Sequence, residues 1–253
     1  MKFEFLTRRS SAGTRFLAVG AFLALTSLSF NVAAQQQLSK RYPAGNNVRI
    51  ELRNLSGTIV VESWNKSEIR LTATIESKKA QIVPKQSEGS FVVDVMSDNR
   101  GRGDIGDINF KLQVPANSSV DLETRRGNIT VTNIRSGLVR AYVSSEGDIT
   151  LSNILASHVI AQNIMGDIFF DGEFSRGGNY EFKSSGGNIT IRIPGNSEFF
   201  LEAASPARRI ALNDFWNNNL KSHDGRKYVG YVGAGGSSLS ILNYSGQITF
   251  MRR

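Results

Sequence analysis

The feature that most constrains this chain is a glycine followed two positions later by isoleucine, recurring at nearly constant spacing. Gly127, Gly147, Gly166 and Gly187 stand 20, 19 and 21 residues apart, with outlying copies at Gly57 and Gly246. Five residues before each glycine come Leu52, Leu122, Tyr142, Ala161, Phe182 and Ile241; two after it come Ile59, Ile129, Ile149, Ile168, Ile189 and Ile248. Val61, Val131, Leu151, Phe170 and Ile191 lie two residues further on, which is the period-2 alternation of a strand with one buried face. Three residues before the glycine stand Asn54, Thr124, Ser144, Asn163, Ser184 and Asn243, types that bond nearby backbone at bends. Each unit thus reads as a bend, a corner glycine and a strand, glycine serving where φ is positive or two backbones approach closely.

A single unit cannot bury its apolar side alone. Stacking strands of successive units about 4.8 Å apart, isoleucine upon isoleucine, solves this. The period predicts an all-β, parallel β-solenoid with coils of about 20 residues. The rival arrangement, successive hairpins in a sandwich, expects turn signals every ~8–12 residues, which a uniform longer period with asymmetric halves disfavours. Gly187 and Gly246 are 59 residues apart, nearly three periods, which leaves room for two less regular turns between them. Residues 35–115 hold alternating runs at 48–52, 58–62, 69–75, 91–95 and 108–114, separated by polar stretches. They are expected to form an irregular β-rich region of the same domain that caps the first coil. The repeat proper occupies residues 116–253, with an irregular insertion at 203–236.

Residues 1–34 read as a secretory signal peptide. Lys2, Arg8, Arg9 and Arg15 precede an apolar run at 16–30, and Val32-Ala33-Ala34 places cleavage between Ala34 and Gln35. The run is short of the ~20 apolar residues of a membrane span, so an uncleaved anchor is the weaker alternative. Ser10-Ser11-Ala12 after the arginine pair favour general secretion over a twin-arginine route. No second apolar span follows, so the chain is expected in the periplasm, at the cell surface or outside the cell, with no span in its mature part. The absence of cysteine excludes disulfides, thiolate metal sites and a lipid-modified cysteine. The net charge of +8 belongs partly to the leader, and the remaining basic residues are scattered. Such a surface suits anionic envelope partners, not nucleic acid.

Few residues invite chemistry. Asp148 and Asp167 occupy equivalent places in neighbouring units, flanked by Asn128 and Asn188. A stacked carboxylate pair could act as acid and base or hold calcium, but glycoside cleavage wants completed geometry and calcium about six or more oxygens. Asp and Asn after a corner glycine are ordinary turn residues. His158 and His223 are isolated, and the integrin-type tripeptide Arg102-Gly103-Asp104 is expected by chance in a glycine-rich chain. Phe169, Phe170, Phe174, Tyr180 and Phe182 form an aromatic stripe suited to sugar stacking, for which core filling is the stronger reading. Within the insertion, Arg208, Arg209, Trp216 and Lys221 form a candidate contact loop, with Phe215 and Trp216 closing the end of the core as the competing reading. No catalytic, cofactor-binding or metal-ligating residue is assigned.

The run KLQVPANSSVDLETRRGNITV at 111–131, followed by Gly-Asp-Ile-Thr at 147–150 and Gly-Gly-Asn-Ile-Thr at 186–190, resembles the bacterial β-strand-repeat family called "putative adhesins", a domain of unknown function. The glycine-rich stretch at 232–241, ahead of the last Gly-Gln-Ile-Thr, is similar to that family's closing segment, and the resemblance covers most of residues 45–250. It implies an envelope-associated or surface-exposed β-repeat domain with no known catalytic residues. The chain is accordingly expected to be a non-catalytic exported adhesin or envelope-associated binding module, without a cofactor, whose partner is an unspecified surface polymer or envelope protein. The alternatives are a carbohydrate-active β-helix enzyme and a structural or stress-sensing envelope module. Residues 206–229 depart from the simple repeat.

Overall fold

The computed structural model describes residues 36–208 and 210–253. The signal segment with its cleavage pair Ala34 and Gln35, and Arg209 of the contact loop, lie outside the described residues. Within them the protein is all-β, with eighteen strands in one curled, mixed sheet. Among the described residues, helix is confined to a turn at Val95–Asp98 and a 3-10 turn at Asn213–Phe215.

The isoleucines that follow the corner glycines lie side by side in parallel strands. Ile59 pairs with Ile129, Ile129 with Ile149, Ile149 with Ile168, Ile168 with Ile189, and Ile189 with Ile248. All six side chains are fully buried. A second parallel row precedes the corner and aligns Leu52, Leu122, Ala141, Ala161, Phe182 and Ile241. Ala141 takes the inward place in this row, not Tyr142 as the count of five predicts. A register shift between Val143 and Glu146 absorbs one residue, so Tyr142 turns outward and is only partly buried. The interior is therefore two facing ladders of aliphatic and aromatic side chains, each filled from one side of every strand.

At both ends the spatial order of layers departs from chain order. Arg49–Ser56 lies between Ser119–Arg126 and Ser90–Asp94, and Ile59–Trp64 lies between Ile129–Thr132 and Ile108–Pro115. The chain thus lays down its first inner layer, steps outward to residues 90–115, then crosses back. The C-terminal end mirrors this. Ile248–Arg252 pairs directly with Ile189–Ile193, and Ser238–Asn243 fits between residues 179–184 and the outer strand Phe199–Ala204. The two irregular turns expected between Gly187 and Gly246 are not there. Residues 194–237 travel past that level, and the last strands return to fill it.

The expectation of a purely parallel arrangement is likewise corrected. Glu68–Ile75 covers Ile108–Pro115 antiparallel, with Gln36–Pro43 outside it. Lys227–Val232 and Leu220–His223 form an antiparallel hairpin beyond Phe199–Ala204, turned at Asp224 and Gly225, whose φ values are 51° and 66°. A parallel ladder ends in a row of open backbone groups and exposed core, and short antiparallel strands cover both. Phe215 completes the C-terminal closure, its ring 6.2 Å from Phe199 and 5.9 Å from Phe250.

Candidate functional site

The corner glycines form one column. A Cβ on Gly127 would stand 2.3 Å from the carbonyl oxygen of Gly57; on Gly147, 2.1 Å from that of Gly127; on Gly166, 2.4 Å from that of Gly147; and on Gly187, 2.0 Å from that of Gly166. Gly246 sits against Gly187 in the same way, and Gly57 against Ile108. Buried asparagines serve these carbonyls from within: Asn163 Nδ2 donates to Gly166 O at 2.8 Å, Asn243 Nδ2 to Gly187 O at 2.8 Å, and Asn54 Nδ2 to Ile108 O at 2.8 Å. The column leaves the backbone no room for side chains and no inward carbonyl without a donor at these three levels.

Asp148 and Asp167 belong to a second column just outside it. The Asp148 N–H donates to Asn128 Oδ1 at 2.9 Å, the Asp167 N–H to Asp148 Oδ1 at 2.8 Å, the Asn188 N–H to Asp167 Oδ1 at 2.7 Å, and the Gln247 N–H to Asn188 Oδ1 at 3.1 Å. Each side chain thus accepts a backbone proton from the next layer. The carboxylates do the same task as the amides above and below them, which accounts for their regular recurrence without chemistry.

Other singled-out residues are dispersed. His158 and His223 are exposed on separate strands, and among the described residues no group of three or more His, Asp or Glu side chains could hold a metal. In the Arg102-Gly103-Asp104 turn, Arg102 bonds to Gln81 and Asp104 Oδ1 accepts the Gly106 N–H. Phe170, Tyr180 and Phe182 are core, whereas Phe174 is only partly buried. Of the contact loop, Arg208 lies on an exposed turn, Trp216 is 58% exposed after the 3-10 turn, and Lys221 lies exposed on the outer hairpin. No hydrogen bond among the described residues joins these three. The competing reading divides: Phe215 closes the core and Trp216 does not.

Three interruptions of the repeat converge instead on one cleft of about 830 Å³. The first is a bulge. Phe174 aligns with Ala156 and Asn179 with His158, so residues 175–178 project from the stack where its neighbour has only one residue. The second is the turn at 194–198, where the chain leaves for the outer layer. The third is the glycine-rich return at 233–237. Gly177 N–H donates to Gly236 O at 2.5 Å, joining the first to the third, and Ser237 Oγ donates to Glu198 O at 3.2 Å, joining the third to the second. Phe174 walls the cleft, held by Tyr180 at 4.3 Å and Phe199 at 5.4 Å between ring centroids. Around it stand Glu173, Arg176, Asn196 and Glu198. Sequence reasoning missed Glu173, Arg176, Asn196 and Glu198, and read Phe174 mainly as core. The available signal was the surplus of residues between Phe174 and Tyr180 relative to the repeat, capped by Gly177-Gly178.

No curated protein matches the chain. Solved structures resemble it at low identity. A "putative cell adhesion protein" from Clostridium sporogenes ATCC 15579 shares 10% identity over 87% of this chain and 100% of the other, with a TM-score of 0.51, and speaks for the fold alone. "Putative adhesins" from Bacteroides fragilis NCTC 9343 and Parabacteroides merdae ATCC 43184 align at 12% and 9% identity, over 87% and 86% of this chain and 99% and 92% of theirs. Their TM-scores of 0.39 and 0.36 carry no argument. The family described as Toastrack DUF4097 matches residues 26–250, nearly the whole length including every corner glycine, and the chain belongs to that family.

Proposed function

We propose that this protein is an exported, non-catalytic binding module: a β-solenoid of coils of about 20 residues that acts as a rigid scaffold and binds an envelope component where its repeat is interrupted. Residues 1–34 would direct export, 35–115 cap one end, and 116–253 carry the binding surface. One observation carries the reading. Segments far apart in sequence, 173–178, 194–198 and 233–237, break the repeat separately yet meet around a single open cleft. Loops placed by a rigid scaffold are where recognition concentrates. The occupation of Asp148 and Asp167 in backbone bonding supports a non-catalytic role for the corner.

Trp216 supports a second contact surface, with Arg208, Arg209 and Lys221, because it stays exposed beside the buried Phe215. Retention of the full-length protein on isolated cell-envelope material separates the two. Asn196→Trp, which fills the cleft from an exposed turn, should abolish retention, whereas Trp216→Ala should leave it intact. Retention lost only in Trp216→Ala would move the function to the second surface, and retention unchanged in both would overturn the binding reading.

A further inference from the structure

Resting on the cleft as the binding surface, we infer that it takes an uncharged, hydroxyl-rich ligand of the class of a short neutral oligosaccharide. The wall chemistry sets this class. Among the described residues, the carboxylate of Glu198, the guanidinium of Arg176 and the amide of Asn196 make no hydrogen bond or ion pair, although all three line one cavity. They supply an acceptor, a donor and a group that is both. Sugar hydroxyls donate and accept from the same atom, so adjacent hydroxyls can satisfy such a mixed set. Phe174 adds an apolar wall for the C–H face of a sugar ring, and its packing against Phe170, Tyr180 and Phe199 keeps it from moving.

Charge and backbone exclude the competing classes. Arg176 and Glu198 carry opposite charges, so an anion drawn to one faces the other, and the carboxylate of Glu173 is paired with Arg253 at 3.6 Å. A peptide adding as a strand needs a row of open backbone groups. The cleft instead has turns already bonded internally: Gly177 N–H to Gly236 O, and Ser197 N–H to Pro194 O at 3.0 Å. Glycines make the room. A Cβ on Gly177 would meet nothing within 4 Å, and Gly235 and Gly236 also present bare backbone to the cavity. The volume of about 830 Å³ lies within the ~300–1,000 Å³ usual for small-ligand sites.

Saturation-transfer NMR and calorimetric titration of the full-length protein test this with four probes: short neutral oligomers of glucose, neutral oligomers of N-acetylglucosamine, a sulfated oligosaccharide and a cationic glucosamine oligomer. Saturable binding of a neutral probe is expected. It should weaken about tenfold or more in Arg176→Ala and in Glu198→Gln, and vanish in Asn196→Trp, with the melting temperature unchanged in all three. Binding confined to a charged probe, or neutral binding undiminished in Asn196→Trp, would overturn the inference. If the wild type ignores neutral sugars while Asn196→Trp still loses envelope retention, the sugar class falls and the cleft stands. If the wild type ignores neutral sugars and envelope retention also survives Asn196→Trp, both fall.

Discussion

The carbonyl oxygen of Gly127 lies 2.1 Å from the position a Cβ would take on Gly147, and Gly147 itself holds φ at 149°. A side chain there meets backbone, which cannot swing aside, and also meets a dihedral that L-residues rarely adopt. Gly147→Ala should therefore destabilise by roughly 2 kcal/mol or more, the cost of a disfavoured φ plus a shift between layers. Gly137 is the internal contrast. Its Cβ would find only Ser119 Oγ, at 4.0 Å, with no positive φ. Gly137→Ala should be neutral or stabilising by up to about 1 kcal/mol. Urea denaturation of the two variants checks the pair; equal effects would refute the close-approach explanation of the column.

The outer column makes a prediction about Asp148. Its Oδ1 accepts the Asp167 N–H, and an amide oxygen accepts equally well, as Asn128 and Asn188 do in the same column. Asp148→Asn should stay within ~0.5 kcal/mol of the wild type, and Asp148→Ala should lose roughly 0.5–1.5 kcal/mol, the net worth of one hydrogen bond. Thermal melts at fixed pH distinguish them.

What the sequence discloses follows from what is local. The buried isoleucines are legible because alternation and the glycine mark the same position six times, and a β chain follows from it. Tyr142 misleads because a bulge between Val143 and Glu146 changes which residue points inward while leaving the spacing nearly intact. The order of the end layers is illegible for another reason. Ser238–Asn243 could pair with any strand of matching alternation, and only the departure of residues 194–237 leaves a gap beside residues 179–184 for it to fill. The cleft inherits that difficulty: Phe174, Asn196 and Gly236 share no motif, and they meet only because the chain skips a layer and returns.

Asp171 predicts a stability effect at the chain's end. Its side chain is only 7% exposed, and Arg192 Nη2 donates to Oδ2 at 2.7 Å while Arg253 Nε approaches Oδ1 at 3.4 Å. The carboxylate, by hydrogen bond and charge, raises the Arg192 pKa above its ordinary value. The same Arg253 reaches Glu173 at 3.6 Å and Asn153 at 3.3 Å, so the last residue ties Ile248–Arg252 to layers laid down much earlier. Asp171→Ala should cost about 2 kcal/mol, within the range for charge-assisted hydrogen bonds. Removing Arg253 alone should cost less, since Arg192 keeps its partner. Denaturation midpoints of both variants check the ranking, and a larger loss from removing Arg253 would contradict it.

Tyr180 gives the pH dependence. Its hydroxyl is buried beside Phe170 and Phe174, donates to Ala156 O at 2.7 Å and accepts the Ser175 N–H at 2.6 Å. Burial raises its pKa above 10.0, outweighing the opposing hydrogen bond from Ser175. In the unfolded chain the phenol ionises near the ordinary value, about 10. Below that pH both states hold the proton, and the contribution of the neutral phenol to stability is fully present. Above it the unfolded state loses protons first, so stability falls as pH rises toward the folded pKa. Tyr42, raised by burial as well, adds in the same direction. Tyr180→Phe should lose roughly 1–3 kcal/mol at neutral pH, because the Ala156 carbonyl and the Ser175 N–H lose their partner. It should also show a shallower decline in stability between neutral pH and about pH 11 than the wild type. Urea denaturation across that range gives both quantities, and parallel curves for the two proteins would show that the buried phenol is not what titrates.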